Sequence, residues 1–281
     1  MPELPEVEVL GRRLWPLLRG KTIRGVTIHR ARAVRPNSPE QFRKALAGAK
    51  FISLTRRAKY LLFGLKSKSP RKAMTILGHL GMTGRMYLAL KSEKLPKHAA
   101  IVFDLGDRNF IYEDFRYFGR MTLDLSPLEN LGPEPLDKKF SPQILAAKLK
   151  GSRQAIKIKL LDQSLIAGVG NIYASESLYR ARISPKLAAN RLTLAQTTRL
   201  CRTIREVLNE AIRYGSTVPL KSMSGKSDAL FYFSDGSEGF CEKRLRVYNR
   251  AGQPCLNCRT PIQRLIQAAR STFYCPDCQK R

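Results

Sequence analysis

The chain has 281 residues, 43% of them hydrophobic, which is enough apolar side chain for packed cores and excludes global disorder. Fifty-one lysines and arginines against 22 acidic residues leave a net charge of +29, which indicates a polyanionic partner. The chain starts with an acidic, helix-like stretch, and no apolar run approaches the ~20 residues that span a bilayer. We therefore expect a cytosolic, or at least reducing, compartment, where cysteines bind metal or stay free.

In chain order, the apolar spacing first predicts an amphipathic helix over residues 5–18. Short apolar runs broken by turn residues then predict a series of strands. These strands are expected at 23–29, 51–54, 60–65, 74–77, 101–105 and 109–112. A helix followed by many short strands indicates a β-sandwich or flattened barrel.

The second half of the chain has a helical pattern. Residues 126–140 contain three prolines and are predicted to be a linker, whereas 142–214 show helical periods. The Ser- and Gly-rich stretch 216–239 is predicted to be a surface loop. We therefore predict an α+β multidomain fold, with a β domain at 2–125, the linker at 126–140, a helical domain at 141–239 and a cysteine module at 240–281.

Four cysteines near the end of the chain have the spacing of a zinc site. Cys255-x2-Cys258 is followed, after sixteen residues, by Cys275-x2-Cys278. Two such knuckles let four thiolates surround one tetrahedral ion and leave no position for water, so the predicted zinc is structural. The intervening segments should pair as a hairpin. Disulfides are the alternative, which a reducing compartment disfavours.

The opening MPELPEVEV carries acidic residues in a chain that is otherwise basic. Removal of Met1 would expose the secondary amine of Pro2, which can attack a sugar carbon and form an iminium ion. An α-amino group titrates near ~7.7–8.0, so a useful fraction is neutral at physiological pH. Glu3 could then move protons to the opening sugar ring.

Five separated motifs agree with this chemistry. They are RRAKYLL at 56–62, GHLGMTGR at 78–85, EDFRYFGR at 113–120, LLDQSLIAGVGNIYASESLYRARISP at 160–185 and RSTFYCPDCQ at 270–279. Together with the opening, they resemble the formamidopyrimidine-DNA glycosylases, bacterial enzymes that remove oxidised purines. The resemblance implies a bifunctional glycosylase and lyase with a catalytic β-sandwich, a helix–two-turn–helix domain and a zinc-finger hairpin. It also implies a monomer acting on damaged double-stranded DNA in the bacterial cytoplasm, associated with the nucleoid.

The resemblance assigns catalytic roles to four residues. Pro2 is implied to be the nucleophile and Glu3 to assist base loss. Lys59 is implied to lie beside the phosphate of the lesion and to help β-elimination. Arg270, on the zinc hairpin, is implied to bind a phosphate and to serve δ-elimination.

The resemblance also assigns DNA contacts. Met82, Arg116 and Phe118 match a trio that enters the duplex where the damaged nucleotide leaves, because side chains can replace the lost stacking. The remaining implied contacts are His98, Arg153, Lys157 and Asn171. The chain departs from the usual pattern at Phe115 and Tyr117, where Pro and Arg are more frequent, and at 268–269, where Ala-Ala replaces a glycine-bearing turn.

Two alternatives stay open. One is an endonuclease VIII-like enzyme that prefers oxidised pyrimidines, although Leu4 and Met82 fit the purine branch better. The lesion-capping loop of the purine branch should lie within 216–239, which diverges here. The other is a non-enzymatic zinc protein that binds nucleic acid.

Overall fold

The computed structural model of the chain describes residues 2–67, 73–215 and 244–280. The described residues fall into two units, which divide between Glu129 and Asn130. The predicted loop 216–239 lies outside the described residues, as does Cys241. Among the helices that are described, none combines the length and the apolar character needed to cross a bilayer.

Helix α1 spans Leu4–Leu18, in agreement with the predicted helix over 5–18. Pro5 lies in the first turn, where its missing N–H removes no helical hydrogen bond. The carboxylate of Glu6 accepts the backbone N–H of Glu3 at 2.8 Å, as in a capping box, and fixes the start of the helix. The apolar face of α1 is buried against the core of the first unit.

The first unit is a sandwich of two sheets. Its strands are β1 Gly25–Ile28, β2 Lys50–Arg57, β3 Tyr60–Lys66, β4 Ala73–His79, β5 Gly84–Leu90, β6 Ala99–Asp104, β7 Arg108–Asp114 and β8 Arg120–Thr122. They form two four-stranded antiparallel sheets with the orders β1-β6-β7-β5 and β2-β3-β4-β8. A second helix, α2 (Pro39–Leu46), precedes β2.

Aromatic side chains from both sheets meet at the centre of the sandwich. Phe51 and Phe63 come from one sheet, and Phe110 comes from the other. The ring of Phe110 lies 6.2 Å from that of Phe51 and 5.7 Å from that of Phe63. Each ring is fully buried or nearly so. The predicted β-sandwich is therefore confirmed, with α1 covering part of the same core.

The described part of the second unit contains four further α-helices and a hairpin. The helices are α3 Pro142–Leu149, α4 Ile156–Lys159, α5 Asn171–Arg180 and α6 Leu194–Arg213. Strands β9 Gln263–Gln267 and β10 Arg270–Tyr274 pair antiparallel, which is the hairpin expected between the two cysteine knuckles.

The second half of the predicted linker packs onto the helices of this unit. The guanidinium of Arg205, on α6, donates to the carbonyl oxygens of Pro135 and Asp137, each at 3.0 Å. Phe140 is buried, and the Arg205 guanidinium lies 5.7 Å from its ring centroid. The predicted linker ends at 140, whereas in the structure the residues from Asn130 onward already belong to the helical unit.

Candidate active site and nucleic-acid interface

The start of α1 carries the two residues with an expected catalytic role at the N-terminus. Pro2 and Glu3 are both buried, and Glu3 exposes only 2% of its surface. The carbonyl of Glu3 accepts the N–H of Val7 at 3.2 Å, and its own N–H is held by Glu6. Two backbone hydrogen bonds therefore fix the residue that follows Pro2.

A chain of hydrogen bonds ties α1 to the turn that carries Lys59. The Arg56 guanidinium donates to the Glu8 carboxylate at 2.7 Å and to the Ala58 carbonyl oxygen at 3.1 Å. Burial opposes ionisation of Glu8, but the hydrogen bonds from Arg56 and Arg12 hold its pKa below the usual value. Lys59 follows Ala58 in the tight turn between β2 and β3 and is itself buried. The sandwich thus holds the Lys59 turn against the helix that begins beside Pro2.

His79, at the end of β4, is a polar residue near Lys59 that the sequence reasoning missed. Burial lowers the pKa of His79 to about 4, helped by the positive charges of Lys59 and Arg120 and opposed by Asp114. Its Nδ1 atom accepts the backbone N–H of Gly81 at 3.1 Å, so in the neutral ring the proton lies on Nε2.

Asp114 organises the two loops that carry the expected insertion residues. One of its carboxylate oxygens accepts the Thr83 hydroxyl at 2.6 Å and the backbone N–H of Arg116 at 3.2 Å. The other oxygen accepts the Gly119 N–H at 2.8 Å. Because Thr83 follows Met82, one buried carboxylate holds both loops.

The two loops also touch through their backbones. Gly81 has a φ of +60°, and a Cβ built on it would lie 2.5 Å from the Gly119 nitrogen. Only glycine allows this approach. Met82 and Phe118 are 42% and 48% exposed, and the guanidinium of Arg116 lies 5.1 Å from the Phe118 ring centroid. The structure therefore brings the predicted trio together on one exposed surface of the first unit.

The two unusual aromatic residues of this loop pack around His98. The Tyr117 hydroxyl lies 3.1 Å from His98 Nδ1, and the His98 and Phe115 ring centroids are 4.8 Å apart in an edge-on arrangement. Tyr117 has a φ of +54°, which is uncommon for a residue with a bulky side chain. The departures at 115 and 117 are thus structurally linked to a predicted DNA-binding histidine.

In the second unit, the four cysteines converge as predicted. All four Sγ atoms lie within 4.8 Å of one another. Three of the separations are 3.8 Å for Cys255 and Cys278, 3.4 Å for Cys258 and Cys275, and 3.5 Å for Cys258 and Cys278. A regular tetrahedron with Zn–S bonds of ~2.3 Å has edges of about 3.8 Å, so the four thiols fit one zinc ion and not two disulfides.

Helix α5 holds the segment before the cysteine module. The fully buried carboxylate of Glu176 accepts the backbone N–H groups of Arg246, Val247 and Tyr248 at 2.8–2.9 Å. Burial raises the pKa of Glu176, although these three hydrogen bonds oppose the rise. One turn further along, the Tyr179 hydroxyl lies 3.2 Å from Cys255 Sγ. The zinc module is therefore fixed to α5 at two points.

The first residue of α5 makes a third link. Asn171 donates through Nδ2 to the carbonyl oxygen of Ser271 at 3.0 Å, next to Arg270 in β10. The buried Lys157 ammonium donates to Asn171 Oδ1. Gly170 precedes the helix and provides no side-chain cap. Lys157, Asn171 and the Arg270 strand are thus brought together.

The turn before α5 is held by one glutamine. Gln163 donates to the carbonyl oxygen of Val169 at 2.8 Å and accepts the N–H of Gly168 at 2.9 Å. Gly168 has a φ of +88°, which requires glycine. Arg153 is exposed ahead of α4, and among the described residues no hydrogen bond or ion pair joins it to the Lys157–Asn171 pair.

Arg270 is exposed and directly follows the two-residue hairpin turn. Ala268 and Ala269 have φ values of 47° and 58°, the pattern of a type I′ turn. Strand pairing is regular up to the turn, with Arg270 opposite Gln267. Replacement of the glycine-bearing turn by Ala-Ala has therefore kept the hairpin register and placed two alanines in a strained conformation.

Sequence reasoning did not single out Arg56, His79, Asp114 or Glu176. All four lie inside the motifs at 56–62, 78–85, 113–120 and 160–185. For Asp114 the available signal was a charged residue at the end of an apolar, strand-like stretch, because charged residues are seldom buried without partners.

Comparison with known proteins gives a consistent result over the whole length. Three family models match: the formamidopyrimidine-DNA glycosylase N-terminal domain at residues 1–121, the helix–two-turn–helix domain of the same enzymes at 131–222, and the zinc finger found in them and in isoleucyl-tRNA synthetases at 252–281. The formamidopyrimidine-DNA glycosylase of Carboxydothermus hydrogenoformans is 39% identical over 280 residues, covering 100% of both chains. That of Symbiobacterium thermophilum is 42% identical, covering 99% of this chain and 89% of the relative.

Solved structures agree. A point mutant of the Lactococcus lactis enzyme in complex with DNA containing Fapy-dG superposes with a TM-score of 0.88 and 33% identity over 100% of both chains. The same enzyme with abasic-site DNA gives a TM-score of 0.87, covering 99% of this chain and 100% of that one. The four-cysteine cluster lies in the segment that matches the zinc finger, so the chain carries one structural zinc site. The chain belongs to the formamidopyrimidine-DNA glycosylase family.

Proposed function

We propose that the chain excises oxidised purines, such as 8-oxoguanine and formamidopyrimidines, from double-stranded DNA and then cleaves the strand at the resulting site. The observation that carries this proposal is the full-length family match together with a Pro2-Glu3 start fixed at a buried helix terminus. The proposed place of action is the bacterial cytoplasm, on DNA of the nucleoid.

The proposed reaction begins with the amine of Pro2, freed by removal of Met1. Its nitrogen forms a bond to C1′ of the extruded nucleotide while the bond from C1′ to the base breaks and the base leaves with that electron pair. The Pro2 nitrogen loses its proton to Glu3, and Glu3 transfers this proton to the ring oxygen as the bond from C1′ to that oxygen breaks. A positively charged iminium ion results, and the departed base takes a proton from solvent. This charge draws electrons from the adjacent carbon.

Elimination then cleaves the strand. Loss of a C2′ proton expels the 3′ phosphate, and a second elimination expels the 5′ phosphate, leaving a one-nucleotide gap flanked by phosphates. Lys59 is proposed to stand beside the phosphate of the lesion and to help the first step. Arg270 is proposed to bind a backbone phosphate and to serve the second step.

DNA binding is proposed to use both units. Met82, Arg116 and Phe118 would enter the space left by the extruded nucleotide, because stacking and a hydrogen bond to the orphaned base offset the energy of extrusion. The three side chains are exposed, and the Asp114 carboxylate fixes the two loops that carry them, which supports this role. In the second unit, Asn171, Lys157 and Arg153 would bind backbone phosphates, and the hydrogen bonds that join Lys157 and the strand of Arg270 to Asn171 support this assignment. His98 would bind phosphate in the first unit.

Borohydride trapping tests the proposal and its alternatives together. Duplexes carrying 8-oxoguanine or thymine glycol are incubated with the wild type and with Pro2→Gly in the presence of borohydride. We expect a covalent adduct with the 8-oxoguanine duplex, much less with thymine glycol, and none with Pro2→Gly. Equal trapping on both lesions would favour the pyrimidine-preferring alternative. The thymine-glycol duplex is included because the Lactococcus lactis enzyme has been solved in complex with DNA that contains an oxidised pyrimidine. Binding without any adduct would favour a non-enzymatic zinc protein.

A further inference from the structure

Four side chains of the first unit, two of them from the loop 115–118, form a continuous surface. The Arg30 guanidinium carbon lies 4.9 Å from the centroid of the Tyr117 ring. The Tyr117 hydroxyl contacts His98 Nδ1 at 3.1 Å, and the His98 ring packs edge-on against Phe115 at 4.8 Å. These four residues, Arg30, His98, Phe115 and Tyr117, are termed the ledge.

The ledge is held in place by strand backbones. The N–H groups of His29 and Arg30 both donate to the carbonyl oxygen of Ala100, at 2.9 and 3.2 Å. The N–H of Asp114 donates to the His98 carbonyl oxygen at 3.1 Å, which ties the start of β6 to the end of β7. Three separate stretches of chain therefore meet in a fixed arrangement before any ligand binds.

The charge of the ledge is available to a ligand. Arg30 is exposed, and within residues 2–67, 73–215 and 244–280 no acidic side chain forms an ion pair with it. Stacking on an aromatic ring orients a guanidinium but leaves its N–H donors and its charge in place. Phe115, at 65% exposure, adds an apolar edge to the same surface.

We propose that the ledge binds a backbone phosphate of the duplex beside the point where the damaged nucleotide leaves. Arg30 supplies the charge. In the tautomer that carries its proton on Nε2, His98 accepts the Tyr117 hydroxyl at Nδ1 and donates from Nε2 to the phosphate. The proposal rests on the proposed function and deepens it by adding Arg30 as a DNA-binding residue and Tyr117 as a positioning residue. At 117, where arginine is more frequent, this chain has tyrosine, and the Arg30 guanidinium lies over the ring of that tyrosine.

The test is the salt dependence of DNA binding by the full chain. The probe is a duplex containing a tetrahydrofuran abasic analogue, and affinity is measured by fluorescence anisotropy across a salt series for the wild type and Arg30→Ala. Because each phosphate contact contributes about 0.9 to the slope of log affinity against log salt, Arg30→Ala should lower the slope by about 0.9. The same relation predicts roughly eightfold weaker binding near 0.1 M salt.

Arg43→Ala is the matched control, because it removes one exposed arginine from α2 and changes the net charge equally. It should keep the wild-type slope. Tyr117→Phe keeps the ring beneath Arg30 but loses the hydroxyl, and it should weaken binding roughly two- to tenfold without changing the slope. Arg30→Ala combined with Tyr117→Arg should restore the slope.

Two results would overturn the proposal. One is a wild-type slope in Arg30→Ala, and the other is an equal change of slope in Arg43→Ala, which would show a general field effect. A wild type that gives no trapped adduct with damaged duplex would instead refute the proposed function. Emission of Trp15, the single tryptophan, confirms that each variant retains a folded first unit.

Discussion

Asp114 shows how one buried carboxylate can prepare a surface for DNA. It receives hydrogen bonds from Thr83, Arg116 and Gly119, which belong to the two loops that present the proposed insertion trio. A charged acceptor can bind donors on both of its oxygens, and an amide cannot. The exposed trio is therefore pre-ordered by a residue that is not itself exposed.

Replacement of Asp114 by Asn should release the loop 115–118. The amide nitrogen cannot accept the Gly119 N–H, and a hydrogen bond to a charged group contributes roughly 1.5–3 kcal/mol. We expect about tenfold weaker binding of abasic-analogue duplex and a lower midpoint of unfolding. Asp107→Asn, an equal charge change at an exposed turn, is the control and should leave binding unchanged. Equal affinity of Asp114→Asn and the wild type would contradict the role of Asp114.

His79 gives the first unit a defined pH dependence. Its pKa is lowered from 6.5 to about 4 by burial and by Lys59 and Arg120, with Asp114 opposing. Between these values the unfolded chain binds a proton that the folded chain does not, so stability should fall as pH drops from about 6.5 to 4. The loss approaches about 3 kcal/mol at most, because one pKa unit is worth ~1.4 kcal/mol.

The measurement is urea unfolding followed by Trp15 emission at several pH values. His79→Asn retains an acceptor for the Gly81 N–H but does not titrate, so its stability should fall less over this pH range. Parallel pH profiles for the variant and the wild type would show that His79 is not responsible.

At the scale of elements, the hairpin turn contains a local conflict between sequence and conformation. Ala268 and Ala269 occupy the left-handed region, which costs an L-residue roughly 1–2 kcal/mol. Asn-Gly is the preferred pair for this turn. Ala268→Asn with Ala269→Gly should therefore stabilise the second unit by roughly 1–2 kcal/mol or more. Calorimetry should show this as a higher midpoint of thermal unfolding. An unchanged or lowered midpoint would show that the turn is not strained.

Elements with strong periodic patterns were predictable from the sequence. Helix α1 and six of the strands lie where apolar spacing put them, and the cysteine spacing gave both the hairpin and the metal site. Helix α2 and β8 were missed because each buries only two residues and leaves a weak period. Strand β5 was missed because its buried residues, Gly84, Met86 and Ala89, are neither β-branched nor aromatic. Buried polar residues such as Glu176 were missed for a different reason. Their partners are backbone N–H groups some 70 residues away, and no local pattern reports these.

At the scale of the whole molecule, the zinc site should control the second unit and leave the first intact. Helix α5 holds the module through Glu176, Tyr179 and Asn171, so loss of the metal removes the support of the Arg270 strand. Chelation should release one zinc per chain and weaken DNA binding, whereas Trp15 emission should not change. Cys201→Ala, a buried cysteine outside the cluster, should retain zinc. Unchanged DNA binding after zinc release would show that the module is dispensable.

The central claim is that the amine of Pro2 bonds to the sugar of a damaged nucleotide. The most direct test is mass spectrometry of the protein after borohydride trapping on 8-oxoguanine duplex, nuclease treatment and proteolysis. The account predicts a sugar remnant on the nitrogen of Pro2 in a peptide that lacks Met1. A remnant on a lysine, or on a peptide that still carries Met1, would contradict it.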